Sequence, residues 1–142
     1  MHADGLFVHG PLREGGSHHR WLQRTHPEGL CRAWVPGRLF HLADAGLPAL
    51  VAGEVPPALP PGPGWVVGDF VGYGDEAELQ AALSDLDALA TEAGGEARLL
   101  PVLLEGGATY TAWAWVFPVE QTPGLEREAL EVPSGDWAPW LS

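Results

Sequence analysis

The segment of residues 6–13, Leu-Phe-Val-His-Gly-Pro-Leu-Arg, contains the residue types of a loop that binds a small anion. Its first three residues suit a short buried strand. Gly10 then permits a tight turn and a close approach of the backbone to a ligand, because glycine has no Cβ and accepts positive φ. A plain strand-to-turn junction with Arg13 facing solvent has the same residue types, so the segment alone leaves both interpretations open.

The histidines are the next candidates for chemistry. His9 directly follows the predicted strand, where an imidazole could titrate near neutral pH and transfer protons. The alternative for His9 is a packed, hydrogen-bonded core histidine. His18, His19 and His26 raise the question of a metal site. Because adjacent histidines on a helix point in different directions, and because no Cys/His spacing typical of zinc occurs, we predict no metal ligands.

Two helices are predicted around these groups. The clearer one runs from Asp75, a candidate N-cap, to Glu92, with acidic residues near its positive end. Its apolar stripe consists of Leu79, Leu83, Leu86 and Leu89. A shorter helix of about two turns is predicted over residues 17–24, with Ser17 as its N-cap.

The remaining elements read as short strands. The predicted pieces are residues 30–42, interrupted at Pro36-Gly37, then residues 49–55, and a hairpin of residues 98–105 and 109–117 across Gly106-Gly107. Trp113, Trp115 and Phe117 alternate onto one face of the last strand, which suits core or barrel lining, with an aromatic ligand shelf as the alternative.

Two proline-containing segments are predicted to be irregular. Residues 56–64 contain five prolines and cannot form a regular ladder of backbone hydrogen bonds, so we expect a surface loop. The tail from Gln121 onward contains Pro123, Pro133 and Pro139, and we expect it to be irregular but held in place by Trp137 and Trp140.

Length and charge limit the function classes. The chain of 142 residues fits one compact domain over residues 1–142. With 19 acidic residues, 7 arginines and a net charge of −12, nucleic acid and anionic membranes are not expected partners. Cys31 cannot form an internal disulfide, and no apolar window is long enough for a membrane helix, so we expect a cytoplasmic protein.

Four motifs, in order, resemble the γ-glutamylcyclotransferase-like (AIG2-like) family. Residues 9–13, His-Gly-Pro-Leu-Arg, resemble its opening Tyr-Gly-Thr-Leu-Arg. Residues 68–73 and 86–89 resemble its V-x-G-x-hydrophobic strand and its L-D-x-L helix. Residues 112–117 resemble its late aromatic strand, and residues 134–137 its closing Gly-Asp-Trp. The resemblance therefore covers nearly the whole chain.

The resemblance implies an α+β fold, a small mixed β-barrel with one long and one short helix packed outside. It also implies conversion of γ-glutamyl amines or peptides into 5-oxoproline and a free amine, without a cofactor. The substrate's α-amino group attacks its own γ-carbonyl, so the protein must hold the substrate curled and move protons. The residues implied to bind this small γ-glutamyl-type ligand are His9, Gly10, Pro11, Leu12 and Arg13.

The acid-base residue departs from the family pattern. The family's catalytic glutamate directly follows L-D-x-L, where this chain has Ala90. Glu92 replaces that glutamate only if the helix end contains a two-residue insertion, because two residues rotate a helix by about 200°. Glu92 is the predicted catalytic residue, Glu96 is a weaker candidate, and a solvent-exposed glutamate is the alternative.

Two further departures complete the comparison with the family pattern. The family's Tyr-Arg pair appears as Ala97-Arg98, and Pro11 has no backbone N–H to offer a carboxylate. Two hypotheses follow: a cyclotransferase that uses Glu92, or a family member that has lost catalysis and binds a small ligand or a partner. The sequence does not indicate an oligomeric state.

Overall fold

The computed structural model describes residues 3–10, 19–25, 27–42, 47–60, 62–92, 95–132 and 135, with the backbone alone for Trp21, Leu47 and residues 89–92. Seven strands and three helices lie within these ranges. In chain order they are β1 (Gly5–Val8), α1 (His19–Gln23), β2 (Gly29–Leu42), β3 (Leu47–Ala52), β4 (Trp65–Gly72), α2 (Glu76–Glu92), β5 (Glu96–Leu104), β6 (Thr109–Val116), α3 (Thr122–Glu128) and β7 (Leu130–Glu131). A 3₁₀ turn (Val119–Gln121) directly precedes α3.

Five of the strands close into a barrel. They neighbour one another in the order β2-β4-β1-β6-β5, and β2 pairs with β5 through Ala33 opposite Leu104 and Trp34 opposite Leu103. β1 and β6 run parallel, whereas the other neighbours in the barrel run antiparallel. The α+β prediction of a small mixed barrel is therefore confirmed.

β2 is one strand of 14 residues, so the predicted interruption at Pro36-Gly37 is wrong. The dipeptide marks a change of partner instead: residues 29–36 pair with β4, and residues 37–42 pair with β3. A Cβ at Gly37 would collide with the backbone carbonyl oxygen of Val51. Gly37 thus allows the two strands to approach closely. Glycine is preferred both at such approaches and in turns, so the dipeptide could be mistaken for a turn.

Alternate residues of β6 face two different apolar layers. Ala112 and Ala114 face the inside of the barrel, in a cluster with Phe7. Trp113 and Trp115 lie on the outer face, beneath the helices. The two tryptophans are therefore core residues outside the barrel rather than its lining, and the small alanines leave the inner space to side chains from other strands.

The predicted long helix and its N-cap are confirmed, since α2 begins directly after Asp75. Asp75 Oδ1 accepts a hydrogen bond from the Glu78 N–H at 2.8 Å, and Glu78 Oε2 accepts one from the Gly74 N–H at 3.3 Å. This reciprocal pattern satisfies N–H groups that lack a partner within the first turn. The buried Leu79 and Leu86 then pack α2 against the outer face of the barrel.

The tail is not irregular throughout, as was expected, because α3 and β7 occupy residues 122–131. Pro123 stands in the first turn of α3, where its missing N–H costs nothing and its fixed φ suits a helix. Leu125 of α3 and Ala129, directly after it, cover a third apolar cluster and pack with Phe40. Trp137 and Trp140 lie outside the described residues.

The proline-containing segment after β3 is a loop, as predicted. Among its described residues, 53–60 and 62–64, none belongs to a strand or helix. The Trp65 indole N–H donates a hydrogen bond to the Ala58 carbonyl at 2.7 Å and so holds the loop against β4. None of the described helices is long and apolar enough to cross a membrane.

Candidate functional site

The strand β1 ends directly before the predicted ligand loop, of which the structure describes His9 and Gly10. Gly10 has φ of 65°, a left-handed conformation that favours glycine. A Cβ at Gly10 would collide with the ring of Pro48 in β3, because Pro48 packs directly against the glycine. The described start of the loop therefore rests on the β2–β3 hairpin, a support that the sequence did not indicate.

A second glycine allows β1 to lie close to β4 at this point. A Cβ at Gly68 would collide with the Val8 carbonyl oxygen and lie 2.6 Å from the Phe7 ring. Val8 opposite Asp69 is the last pair between the two strands, so continuing the register places His9 beside Gly68. The glycine of the V-x-G-x motif thus has a packing role directly next to the loop.

Gly135 lies against the edge of β4 that β1 leaves free. The Val67 N–H donates a hydrogen bond to the Gly135 carbonyl at 2.9 Å, one residue beyond the position of Gly68. Gly135 has φ of 70°, and a Cβ there would collide with the Trp65 carbonyl oxygen. Gly10, at the start of the opening loop, and Gly135, in the closing motif, therefore lie at the same end of the barrel.

His9 faces the inner side of the barrel at the same end. Its ring lies 6.2 Å from the ring of Phe7, centroid to centroid, as expected for residues two apart in an extended strand. The side chain is half-buried, and its Nδ1 atom is enclosed by protein. The partial exposure therefore belongs to the rest of the side chain.

Strand register brings the starts of β5 and the ends of β1 and β6 together. Leu6 stands beside Trp113 in the parallel pair, so the same register places His9 beside Val116, and Val116 is paired with Glu96. Two strand spacings separate His9 from Glu96, which is about 10 Å between backbones. Both ends lie at one mouth of the barrel.

Glu92 is the last residue of α2, four positions before Glu96. Four residues span at most about 14 Å, so the end of α2 also lies near this mouth. The side chain of Glu92 is outside the described part of the structure. Pro11, Leu12 and Arg13 are also outside the described residues, so of the predicted binding residues the structure describes His9 and Gly10.

Glu96, the weaker catalytic candidate, is a surface residue. Its Oε1 accepts a hydrogen bond from Arg98 Nε at 2.9 Å and lies 2.7 Å from Arg98 Nη2 in the same ion pair. The two side chains are 48% and 60% exposed. The Glu96 carboxylate is therefore held by Arg98 in a solvent-exposed ion pair.

The aspartate of the L-D-x-L motif has a structural contact. Asp87 Oδ1 accepts a hydrogen bond from the Trp115 indole N–H at 3.0 Å, which connects α2 with β6. Trp115 is buried. This bond fixes the position of α2 on the barrel and with it the position of the helix end that contains Glu92.

Ala97, at the position of the family's tyrosine, packs in the outer layer beneath the helices.

Among the described residues, Asp69 is a buried charged residue: it is 7% exposed and stands opposite Val8. Because Val8 packs in the outer cluster, Asp69 also lies on the outer face of β4, away from His9. The sequence did not indicate that Asp69 is buried, because an aspartate in a strand usually faces solvent.

Among the described residues, no three His, Cys, Asp or Glu side chains lie close enough together to hold a metal ion. His19 begins α1, and His18 and His26 are outside the described ranges. The described part of this barrel end thus offers a glycine turn, an imidazole and a helix C-terminus.

A protein-family model described as gamma-glutamyl cyclotransferase, AIG2-like, matches residues 6–139. The chain belongs to this family. The match begins at the strand that precedes Gly10 and extends beyond Gly135, so it includes both glycines at this end of the barrel. The comparison with curated proteins gives no significant match.

Solved structures share the fold. YkqA from Bacillus subtilis has 22% sequence identity and a TM-score of 0.61, over 96% of this chain and 40% of its own. This chain thus spans two fifths of the length of YkqA. An AIG2-like protein from Mus musculus has 18% identity and a TM-score of 0.57, over 92% of this chain and 86% of its own. A uropathogenic E. coli-specific protein, c4763, has 18% identity and a TM-score of 0.58, over 99% and 97%.

Proposed function

We propose that this AIG2-like protein cyclises γ-glutamyl amines or γ-glutamyl peptides to 5-oxoproline and releases the amine. The observation that carries the proposal is the left-handed Gly10, which follows the buried strand β1 and packs against Pro48 inside the region matched by the family model. In this proposal the N–H groups of Gly10 and Leu12 bind the substrate's α-carboxylate, since Pro11 has no N–H.

Glu92 is the proposed acid-base residue. Support comes from its place at the end of α2, near the mouth that also contains His9 and Gly10. The carboxylate would take a proton from the α-ammonium group, so that the amine can attack the γ-carbonyl carbon. Holding the two ends of the substrate together supplies much of the rate, because the reaction is intramolecular.

The test is 5-oxoproline release from a panel of γ-glutamyl amines and γ-glutamyl dipeptides. We expect release by the wild type, a loss of at least about 100-fold in kcat for Glu92→Gln, and no loss for Glu105→Gln. Glu105 is an exposed glutamate that follows the opposite end of β5, which makes it a matched control. Full activity of Glu92→Gln would assign the proton transfer to another group.

The second candidate is a family member that binds γ-glutamyl-type ligands without cyclising them. Ala90 at the family's glutamate position and Ala97 at its tyrosine position favour this candidate. Titration calorimetry with 5-oxoproline and the same panel separates the two functions. Binding without release would support the binding protein, and release would exclude it.

A further inference from the structure

We propose that His9 is a catalytic residue and carries a proton from the attacking nitrogen to the leaving nitrogen during cyclisation. This inference rests on the proposed function. It concerns a position at which the chain departs from the family motif, since His9 stands where the motif has tyrosine.

The placement of the ring supports the role. His9 faces the inner side of the barrel with Phe7, and its Nδ1 is enclosed by protein. The residue as a whole is half-buried, so part of His9 reaches the surface although Nδ1 does not. The proposed role uses the other ring nitrogen, Nε2, toward a ligand at the barrel mouth.

The adjacent residue fixes the distance to the reacting atoms. Gly10 follows His9 directly and begins the turn that is proposed to bind the α-carboxylate. The attacking α-nitrogen of a γ-glutamyl substrate is only two bonds from that carboxylate carbon. A carboxylate bound at Gly10 therefore places the α-nitrogen beside His9, within reach of a side chain about 4–5 Å long.

The proton balance of the reaction leaves a task for such a group. The α-ammonium loses one proton before attack, which Glu92 accepts in the proposed function. Attack forms the bond between the α-nitrogen and the γ-carbonyl carbon, and the α-nitrogen then carries a second surplus proton. Neutral His9 accepts this proton and gives it to the leaving nitrogen as the original amide C–N bond breaks. Both nitrogens are bonded to the same tetrahedral carbon, so one imidazole can serve both. The released amine then takes the proton held by Glu92 and leaves as an ammonium ion, which restores both side chains.

Other titratable groups lie near His9 and determine the controls. From β2, His41 stands opposite Pro48, which packs on Gly10. From β5, Glu96 and Arg98 form an exposed ion pair at the same mouth. Among the described neighbours on β4, Gly68 has no side chain and Asp69 points to the outer face. His41 is thus the second described imidazole at this end, and His41→Gln is the matched control.

The experiment measures kcat for 5-oxoproline release against pH for the wild type, His9→Gln and His41→Gln. We expect His9→Gln to lower kcat by about 100- to 10,000-fold and to remove the limb of the profile between about pH 5 and about pH 8. His41→Gln should keep the wild-type kcat and the same limb of the pH profile. Added imidazole should restore release by His9→Ala, an effect that a merely structural role would not produce.

His9→Tyr restores the residue of the family motif and keeps the test valid if the glutamine variant does not fold. A pH limb that persists in a folded His9 variant, or release at the wild-type rate, would overturn the inference and leave the proposed function intact. Absence of release by the wild type from every substrate would overturn the proposed function, and the role of His9 with it.

Discussion

The Trp115 indole N–H donates a hydrogen bond to Asp87 Oδ1 across 3.0 Å, and this contact joins the long helix to the barrel. The donor lies in the aromatic strand and the acceptor in the L-D-x-L motif, 28 residues apart. Two segments that resemble separate family motifs are therefore parts of one structural unit, whose helix ends at the proposed acid-base residue.

Removal of this contact should destabilise the fold. We expect Asp87→Ala to lower the free energy of unfolding by about 1–2 kcal/mol relative to Asp85→Ala, because a bond from a buried donor to a charged acceptor is lost. Asp85 is exposed on the same helix, so both variants share the change in helix propensity. Urea denaturation measures the difference, and equal stability of the two variants would contradict the prediction.

Gly10→Ala tests the conformation of the ligand loop. We expect a loss of about 1–2 kcal/mol from the left-handed backbone alone, plus the collision with Pro48. Gly124→Ala is the control, because Gly124 lies in α3 with nothing within 4 Å of its added Cβ. That variant should gain about 0.5–1 kcal/mol.

The same pair of glycine variants separates loop geometry from general stability. Calorimetric titration with 5-oxoproline should show weakened binding for Gly10→Ala and unchanged binding for Gly124→Ala. Binding that is equal in the two variants would show that the described turn does not hold the ligand.

Arg38 and Glu131 should make a small, acid-sensitive contribution to stability. Arg38 donates to both carboxylate oxygens of Glu131, at 2.8 and 3.1 Å, and this hydrogen bonding lowers the pKa of Glu131. The contribution is therefore present at neutral pH and disappears as the pH falls below the ordinary value of 4.5 and through the lowered pKa. Because the side chains are 40% and 43% exposed, we expect less than about 1 kcal/mol.

Thermal unfolding of Arg38→Gln at several pH values tests this pair. The Tm difference from the wild type should be largest near neutral pH and shrink on acidification. Arg127→Gln alters an exposed arginine of α3 and is the control for net charge. A difference that does not change with pH would assign the effect to packing of Arg38 over the Phe40 ring, 4.9 Å away.

Ionisation of Tyr73 should lower the free energy of unfolding at alkaline pH. Burial raises the pKa of Tyr73 above its ordinary value of 10.0, although the hydrogen bond with Thr25 partly opposes the effect. A raised pKa stabilises the folded state below pH 10, and that stability is lost as the pH rises through the folded-state value. Tyr73→Phe should be about 1 kcal/mol less stable at neutral pH, through loss of the hydrogen bond, and should not show this loss at alkaline pH.

Tyrosinate absorbance provides the measurement for Tyr73. Tyr73→Phe should lose the component that titrates above pH 10, whereas Tyr110→Phe should keep it. These are the two tyrosines of the chain, which makes the assignment direct. Retention of that component in Tyr73→Phe would show that the tyrosine is not buried as described.

The sequence was sufficient to predict those helices and turns whose ends are set by residues nearby in the chain. Asp75 and the leucines of α2 predicted a helix that the structure contains, and Gly106-Gly107 predicted the β5–β6 hairpin. Both glycines have φ near 100°, a conformation that favours glycine, so the two residue types were enough to indicate the turn. Such elements form from contacts that are short in sequence.

Elements determined by distant contacts were not predictable in the same way. Pro123 is compatible with the start of a helix and with an irregular segment. α3 forms because Leu125 packs on the apolar surface around Phe40, which the local sequence does not show. The partner change at Gly37 likewise depends on Val51. At the site, motif order indicated the loop, but the packing of Pro48 on Gly10 requires the β2–β3 hairpin in place.

The parallel pairing of β1 with β6 determines when the site can form. Asp4 and Thr111, 107 residues apart, exchange two hydrogen bonds at the start of this pair. At a synthesis rate of about 5–20 residues per second, β1 waits roughly 5–20 s for its partner. During that interval its apolar side chains are open to chaperones or to wrong partners. The residues proposed to bind the ligand are thus made early and acquire their surroundings late, so variants that slow β6 docking should lower the yield of active protein before they alter its chemistry.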